Sequence, residues 1–166
     1  LFYDVLAVNV GSTLRPPTLQ HAQLLSLRPL GRLRKSWDDL LVELRSNSPQ
    51  RPLVVTAVGG GAAGIEAVLA SVTKLRALQP HQEIAGRLVT RSLDILPGFP
   101  RRTKRFAKLA LQRSSVTVYT NTEFTPEIDQ DSDIVLWATG AQPHEWHAAS
   151  GLKLSDRGFI QVDRYL

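Results

Sequence analysis

Three glycines, Gly59, Gly61 and Gly64, follow the β-branched run Val54-Val55-Thr56-Ala57-Val58 in the spacing G-x-G-x-x-G. These residue types at this spacing suit a dinucleotide pyrophosphate. Gly59 permits a tight strand-to-helix turn. Gly61 leaves no Cβ where phosphate oxygens approach, and Gly64 lets the next helix pack closely on the sheet. Gly60 and Ala62 complete the cradle. Unpaired amides at the helix start, together with the macrodipole, favour an anion there. No Gly-Lys-Ser/Thr follows the glycines and no nucleophile elbow occurs, which argues against a P-loop and against serine hydrolysis.

Other chemistry-bearing residues arrange themselves around that cradle. An acid at the end of the second strand would accept from the ribose hydroxyls and repel a 2′-phosphate. Thr90 stands there instead, followed by Arg91, which suits a charge-assisted contact to phosphate and leans toward NADPH. The separation from Gly59 exceeds the usual ~20 residues. Thr139 and Gly140 end a later strand, at the carboxyl edge where open α/β sheets place ligands. His144, Glu145 and His147 have loose metal-ligand spacing, but Pro143 and Trp146 beside them fit a surface segment, so no metal is expected.

The elements needed to hold these groups can be read along the chain. Tyr3 to Val10 alternates like a strand and ends at Gly11-Ser12-Thr13. Trp37 to Leu44 reads as a short amphipathic helix with Ser36 as its N-cap, and Ser46 to Pro52 as a loop. The glycine-motif strand begins at Leu53. A long helical pattern runs to Leu78, and strands are expected at Ile84 to Thr90, Val116 to Tyr119 and Ile134 to Trp137. This βαβ alternation predicts a parallel sheet with helices on both faces.

Composition narrows the class. The 166 residues carry 43% hydrophobic and 21% charged residues, with a net charge of +5 and no cysteine. That excludes a disulfide framework, a thiolate metal site and a redox dithiol within this stretch. Arg101, Arg102, Lys104, Arg105 and Lys108 read as the solvated face of a helix whose other side carries Phe106, Leu109 and Ala110. No aromatics are interleaved for base stacking, so no nucleic-acid partner is expected. No apolar run is long enough to span a membrane and no signal peptide is visible, making a cytoplasmic location the default. The lack of methionine suggests a piece of a longer protein.

Five separated motifs occur in order: Val58 to Glu66, Ile95-Leu-Pro-Gly98, Leu136-Trp-Ala-Thr-Gly-Ala141, Ser150-Gly-Leu152 and Gly158 to Asp163. Together they resemble the two-dinucleotide flavoproteins of the pyridine nucleotide-disulfide oxidoreductase family. The type II NADH dehydrogenase branch is nearest, and the flavoprotein module attached to selenide, water dikinase is similar. The resemblance implies a Rossmann-like three-layer α/β domain with a central parallel sheet, plus linker and edge pieces of an FAD domain. Residues 1–13 would be the last FAD-domain strand, 14–50 a linker, 51–140 the NAD(P)-binding domain and 141–166 the return segment. Glu66 would approach the nicotinamide end, and Gly11 and Ser12 would face FAD. The family's three-stranded meander has room here for one short strand or hairpin at most.

The implied function is to bind NAD(P)H and pass hydride from nicotinamide to flavin, with FAD held only in the full-length protein and this piece inactive alone. Its partners would be a nicotinamide dinucleotide and the missing FAD-domain segments. A homodimer is compatible with the resemblance, and membrane association carries no sequence signal. A non-catalytic nucleotide-sensing module is the alternative. An S-adenosylmethionine-dependent methyltransferase is disfavoured by Ile65-Glu66 and the Trp-Ala-Thr-Gly strand.

Overall fold

The central strand β2 (Leu53–Val58) is buried at every position, as a continuous apolar run in the middle of a parallel sheet should be. The computed structural model describes residues 2, 4–46 and 50–165. Around β2 stand β1 (Gln23–Ser26), β3 (Ile84–Val89), β4 (Val116–Tyr119) and β5 (Ile134–Trp137), in the order β1-β5-β2-β3-β4. All pairings are parallel. The strand order therefore reverses between β2 and β5. Chain from β2 leads one way, through β3 to β4, and then returns to the other side.

The helices are α1 (Leu30–Ser46), α2 (Ala62–Leu78), α3 (Arg101–Arg113) and the short α4 (Pro126–Gln130). Helix α2 buries Ile65, Val68, Val72 and Leu75, a stripe at helical spacing that lies on Val55, Ala57, Leu88 and Leu136. Each fully buried aliphatic side chain contributes on the order of 1.5–3 kcal/mol, so this layer dominates the stability. Leu40 and Leu44 of α1 and Leu111 of α3 join the same core cluster.

The opposite face carries Val54, Thr56, Val58, Arg87, Val89 and Val135. Segment 120–132, with α4, reaches over it. Thr56 Oγ1 and Ser132 Oγ are 2.7 Å apart, and Arg87 donates to the Asp131 carbonyl. No strand lies between β4 and β5; the crossover is the single five-residue helix. Three layers result, the third being thin. Among the described residues no helix is long and apolar enough to cross a membrane.

Several sequence expectations are corrected. Tyr3 lies outside the described residues, and the rest of the strand expected up to Val10 is not formed. Val5, Leu6, Val8 and Val10 are exposed, and the first backbone pairing is the bridge Thr13–Gln142. A strand exists only through its ladder, and this segment has no neighbouring edge among the described residues. The segment expected as a linker with a short helix supplies a strand and a 17-residue helix to the sheet and core. Ser36 sits inside α1 and caps nothing. Phe106 and Leu109 face outward, while Lys104, Ala107 and Leu111 turn inward. Of the expected loop over Ser46 to Pro52, residues 47–49 lie outside the described residues.

One buried carboxylate ties β1 to the thin layer. Asp129, 4% exposed, accepts from the backbone N–H groups of Gln20 (2.7 Å), His21 (3.4 Å) and Ala22 (3.0 Å). Burial pushes its pKa up, but the amide donors and nearby His21 outweigh that and hold it below the usual value. The ionised form is thus favoured in the folded state. Its stabilisation is complete above the unfolded carboxylate pKa and fades as pH falls through the lower folded one. Asp129→Ala should cost about 1–3 kcal/mol, the penalty for stranding buried donors, and should flatten the acid limb of stability against pH. Urea melts between acidic and neutral pH check this; an unchanged acid limb would contradict it.

Candidate functional site

The turn from β2 into α2 has little room for side chains. Gly59 has φ +124°, which L residues rarely adopt, and a Cβ there would overlap the Ala138 carbonyl. A Cβ on Gly64 would overlap the Gly59 carbonyl oxygen, so the helix rests directly on its own entry turn. Below Gly60 lies the buried Thr90 side chain. Gly61 differs: a Cβ built there has no neighbour within 4 Å. Its direction is open space.

Gly61 is the N-cap of α2 and no side chain caps that end. Ala62 and Ala63 are exposed. The first amides of a 17-residue helix are therefore free to meet an anion. In front of them lies a cleft of about 550 Å³, at the carboxyl ends of β2, β3 and β5. Its position at the reversal of strand order is where doubly wound sheets bind ligands, and its volume is typical of a small-molecule site.

Of the residues singled out from sequence, Gly59, Gly60, Gly61, Thr90, Arg91, Thr139 and Gly140 line this cleft. Ala62 begins the helix beside it, and Gly64 acts from behind. Glu66 is exposed on α2 and does not belong to the lining. Gly11 and Ser12 lie elsewhere, on the segment that forms no strand, and the Ser12 hydroxyl accepts from Arg28. Like Gly61, Gly11 has open space where a Cβ would stand. Thr90 faces the glycine turn, its Oγ1 accepting weakly from the Ser92 amide at 3.3 Å. Arg91 is exposed at the lining.

The loop after β3 is fastened to the cradle. Leu96 N–H donates to Gly60 O at 2.7 Å, and Ile95 and Leu96 are buried. Leu96 has φ +49°, a strained conformation for leucine, held by that bond and its burial. Asp94 anchors the same loop to α3, accepting from Lys108 at 2.8 Å and from the Ile95 amide. The Lys108 ammonium, opposed by burial, holds the Asp94 carboxyl below its usual range.

Reasoning from sequence missed Arg15, Thr122, Phe124, Trp137 and Gln142 as cleft residues. Phe124 packs edge-on to Trp137, with ring centroids 5.6 Å apart. Only Trp137 carried a signal, as the last residue of a legible strand. Of the residues with loose metal-ligand spacing, His144 Nε2 meets Val10 O at 3.1 Å, His147 Nδ1 meets Gly158 O at 3.3 Å, and Glu145 pairs with Arg15.

A family model described as pyridine nucleotide-disulphide oxidoreductase matches residues 3–166. No curated protein matches the sequence. Among solved structures, reduced CoADR-RHD of Bacillus anthracis is similar, with TM-score 0.65 and 20% identity over 93% of this chain and 28% of that one. NDH2 from Plasmodium falciparum in complex with NADH gives TM-score 0.64 and 17% identity, over 87% of this chain and 36% of that one. NADH:rubredoxin oxidoreductase from Clostridium acetobutylicum gives 0.55 and 22%, over 89% and 35%. The chain thus spans 28–36% of the length of these structures.

The two glycines should separate under mutation. Gly64→Ala must displace the Gly59 carbonyl and should lose about 1–3 kcal/mol, lowering Tm by several degrees. Gly61→Ala enters open space at an ordinary φ and should change stability by less than about 1 kcal/mol. Calorimetric melts of both variants test the contrast; equal losses would refute it.

Proposed function

The chain belongs to the pyridine nucleotide-disulphide oxidoreductase family, and we propose that it is the NAD(P)H-binding portion of an FAD-dependent member. The observation that carries this reading is the uncapped amino end of α2 facing a cleft at the strand-order reversal, with open space at Gly61. NADH in the Plasmodium falciparum relative supports it. When bound, the nicotinamide supplies a hydride, which in the full protein would be handed to flavin. Gly11, with open space where a Cβ would stand, and Ser12 are proposed to face FAD, the remaining contacts coming from FAD-domain segments of the full-length protein.

The chain's own residues bind and orient. Amides of Gly61 to Ala63 would take the pyrophosphate, where the helix dipole adds to their hydrogen bonds. The end of β3 belongs to the adenosine half in folds of this kind, so the adenosine would lie over Thr90 to Ser92 and Thr122 to Phe124. The nicotinamide half would cross toward Trp137 to Gly140. Thr90 supports the glycine turn, which leaves ribose and 2′-phosphate recognition to Arg91. Thr90 itself is no acid, and Glu123 is the one acid among the lining residues at this end, so the preference for NADPH in this reading rests on Arg91.

Isothermal titration with NADH and NADPH tests this. NADPH should bind more tightly, and Arg91→Glu should lower its affinity about tenfold or more while sparing NADH, as loss of a charge-assisted contact predicts. Failure of both nucleotides to bind would overturn the reading. Binding of both with no response to Arg91→Glu would overturn the preference alone.

A further inference from the structure

Arg15 comes from a stretch of sequence with no glycine motif and no strand, yet it lines the cleft with Gly59 to Gly61 and Thr139. Its position is set by backbone pairing two residues earlier. Thr13 and Gln142 form an antiparallel bridge, with N–H···O distances of 2.9 Å in both directions. Gln142 follows β5, so Arg15 reaches the cleft from the β5 side. Arg91 follows β3, on the other side of β2. The two guanidinium-bearing residues flank the amino end of α2 from opposite sides.

These two and Glu123 are the charged side chains among the lining residues, so the cleft carries an excess of positive charge. Among the described residues Arg15 has one ion-pair partner, Glu145, at 3.4 Å, with side chains 58% and 88% exposed. A pair so long and so exposed contributes little and breaks at little cost. Arg15 is a cation kept at the cleft by its backbone and only loosely engaged.

We infer that Arg15 is a second anion-binding residue of this cleft, contacting the pyrophosphate from the nicotinamide side and exchanging Glu145 for a phosphate oxygen. This deepens the dinucleotide reading and rests on it. Arg91 would read the adenosine end and thereby distinguish two cofactors. Arg15 reads what they share, so its contribution must be equal for both. Glu145 then competes with the ligand for the same guanidinium.

The test is titration of NADH and NADPH into the full chain, its Arg15→Ala and Glu145→Ala variants, and Gly61→Val as a blocked cradle. Arg15→Ala should weaken both nucleotides by the same factor, about tenfold for a lost charge-assisted bond. Glu145→Ala should leave both affinities unchanged or raise them. If the ion pair mattered only as a structural brace, the two alanine variants would lose affinity together, and the inference would fail. It would also fail if Arg15→Ala weakened NADPH alone, or left both unchanged. Normal binding by the parent chain, lost in Gly61→Val, keeps the dinucleotide reading intact in each of those cases. Absence of binding by the parent chain overturns both.

Discussion

The structure depends on one close approach: the first turn of α2 lying directly against the Gly59 carbonyl, with no side chain between them. That contact fixes the helix axis relative to β2. The Ile65–Leu75 stripe then meets the sheet, and the free amides of the helix point across the carboxyl ends of the strands. Packing and binding geometry are therefore set by the same atoms. The loop after β3 reinforces this through Leu96 and Thr90, which hold Gly60 from two directions. A strained leucine is tolerated there because its amide and its burial both require that conformation.

Much of this was legible in the residues. Strands β2 and β5 read as unbroken apolar runs because both faces are covered, and the glycine spacing named the turn between strand and helix. What escaped notice lacked a local signal. Gln23–Ser26 has four residues and one that is buried, Leu25, so no periodicity announces it. The outward face of α3 was misread because Phe106 is apolar and Lys104 charged. In the fold Lys104 turns inward toward Asp94, and Phe106 lies out under the Arg102 guanidinium. Val5 to Val10 carries an alternation whose pairing partner no local pattern could supply. Arg15 reached the cleft through the backbone bridge of Thr13 to Gln142, a contact invisible to any sequence window.

The second face of the sheet shows how little cover a parallel sheet needs. Short α4 and its flanks shield Thr56 and Arg87 through hydroxyl and carbonyl contacts, where apolar packing alone would need more chain. Asp129 replaces several apolar contacts with three amide bonds to residues 20–22. The same carboxylate that closes this layer thus also aligns the approach of β1 to β5. Asp133 has a comparable role at the neighbouring strand pair, accepting from Arg51 and from the Val54 amide where β2 and β5 begin.

The placement of β1 sets a temporal order on assembly. Among the described residues its one partner strand begins at Ile134, opposite Gln23, whereas β2 finds β3 after one helical crossover. Contacts between distant positions forfeit chain freedom before they yield any gain, and they form slowly. The first of these strands to leave the ribosome is thus the last able to take its seat, because its template is synthesised after all the others.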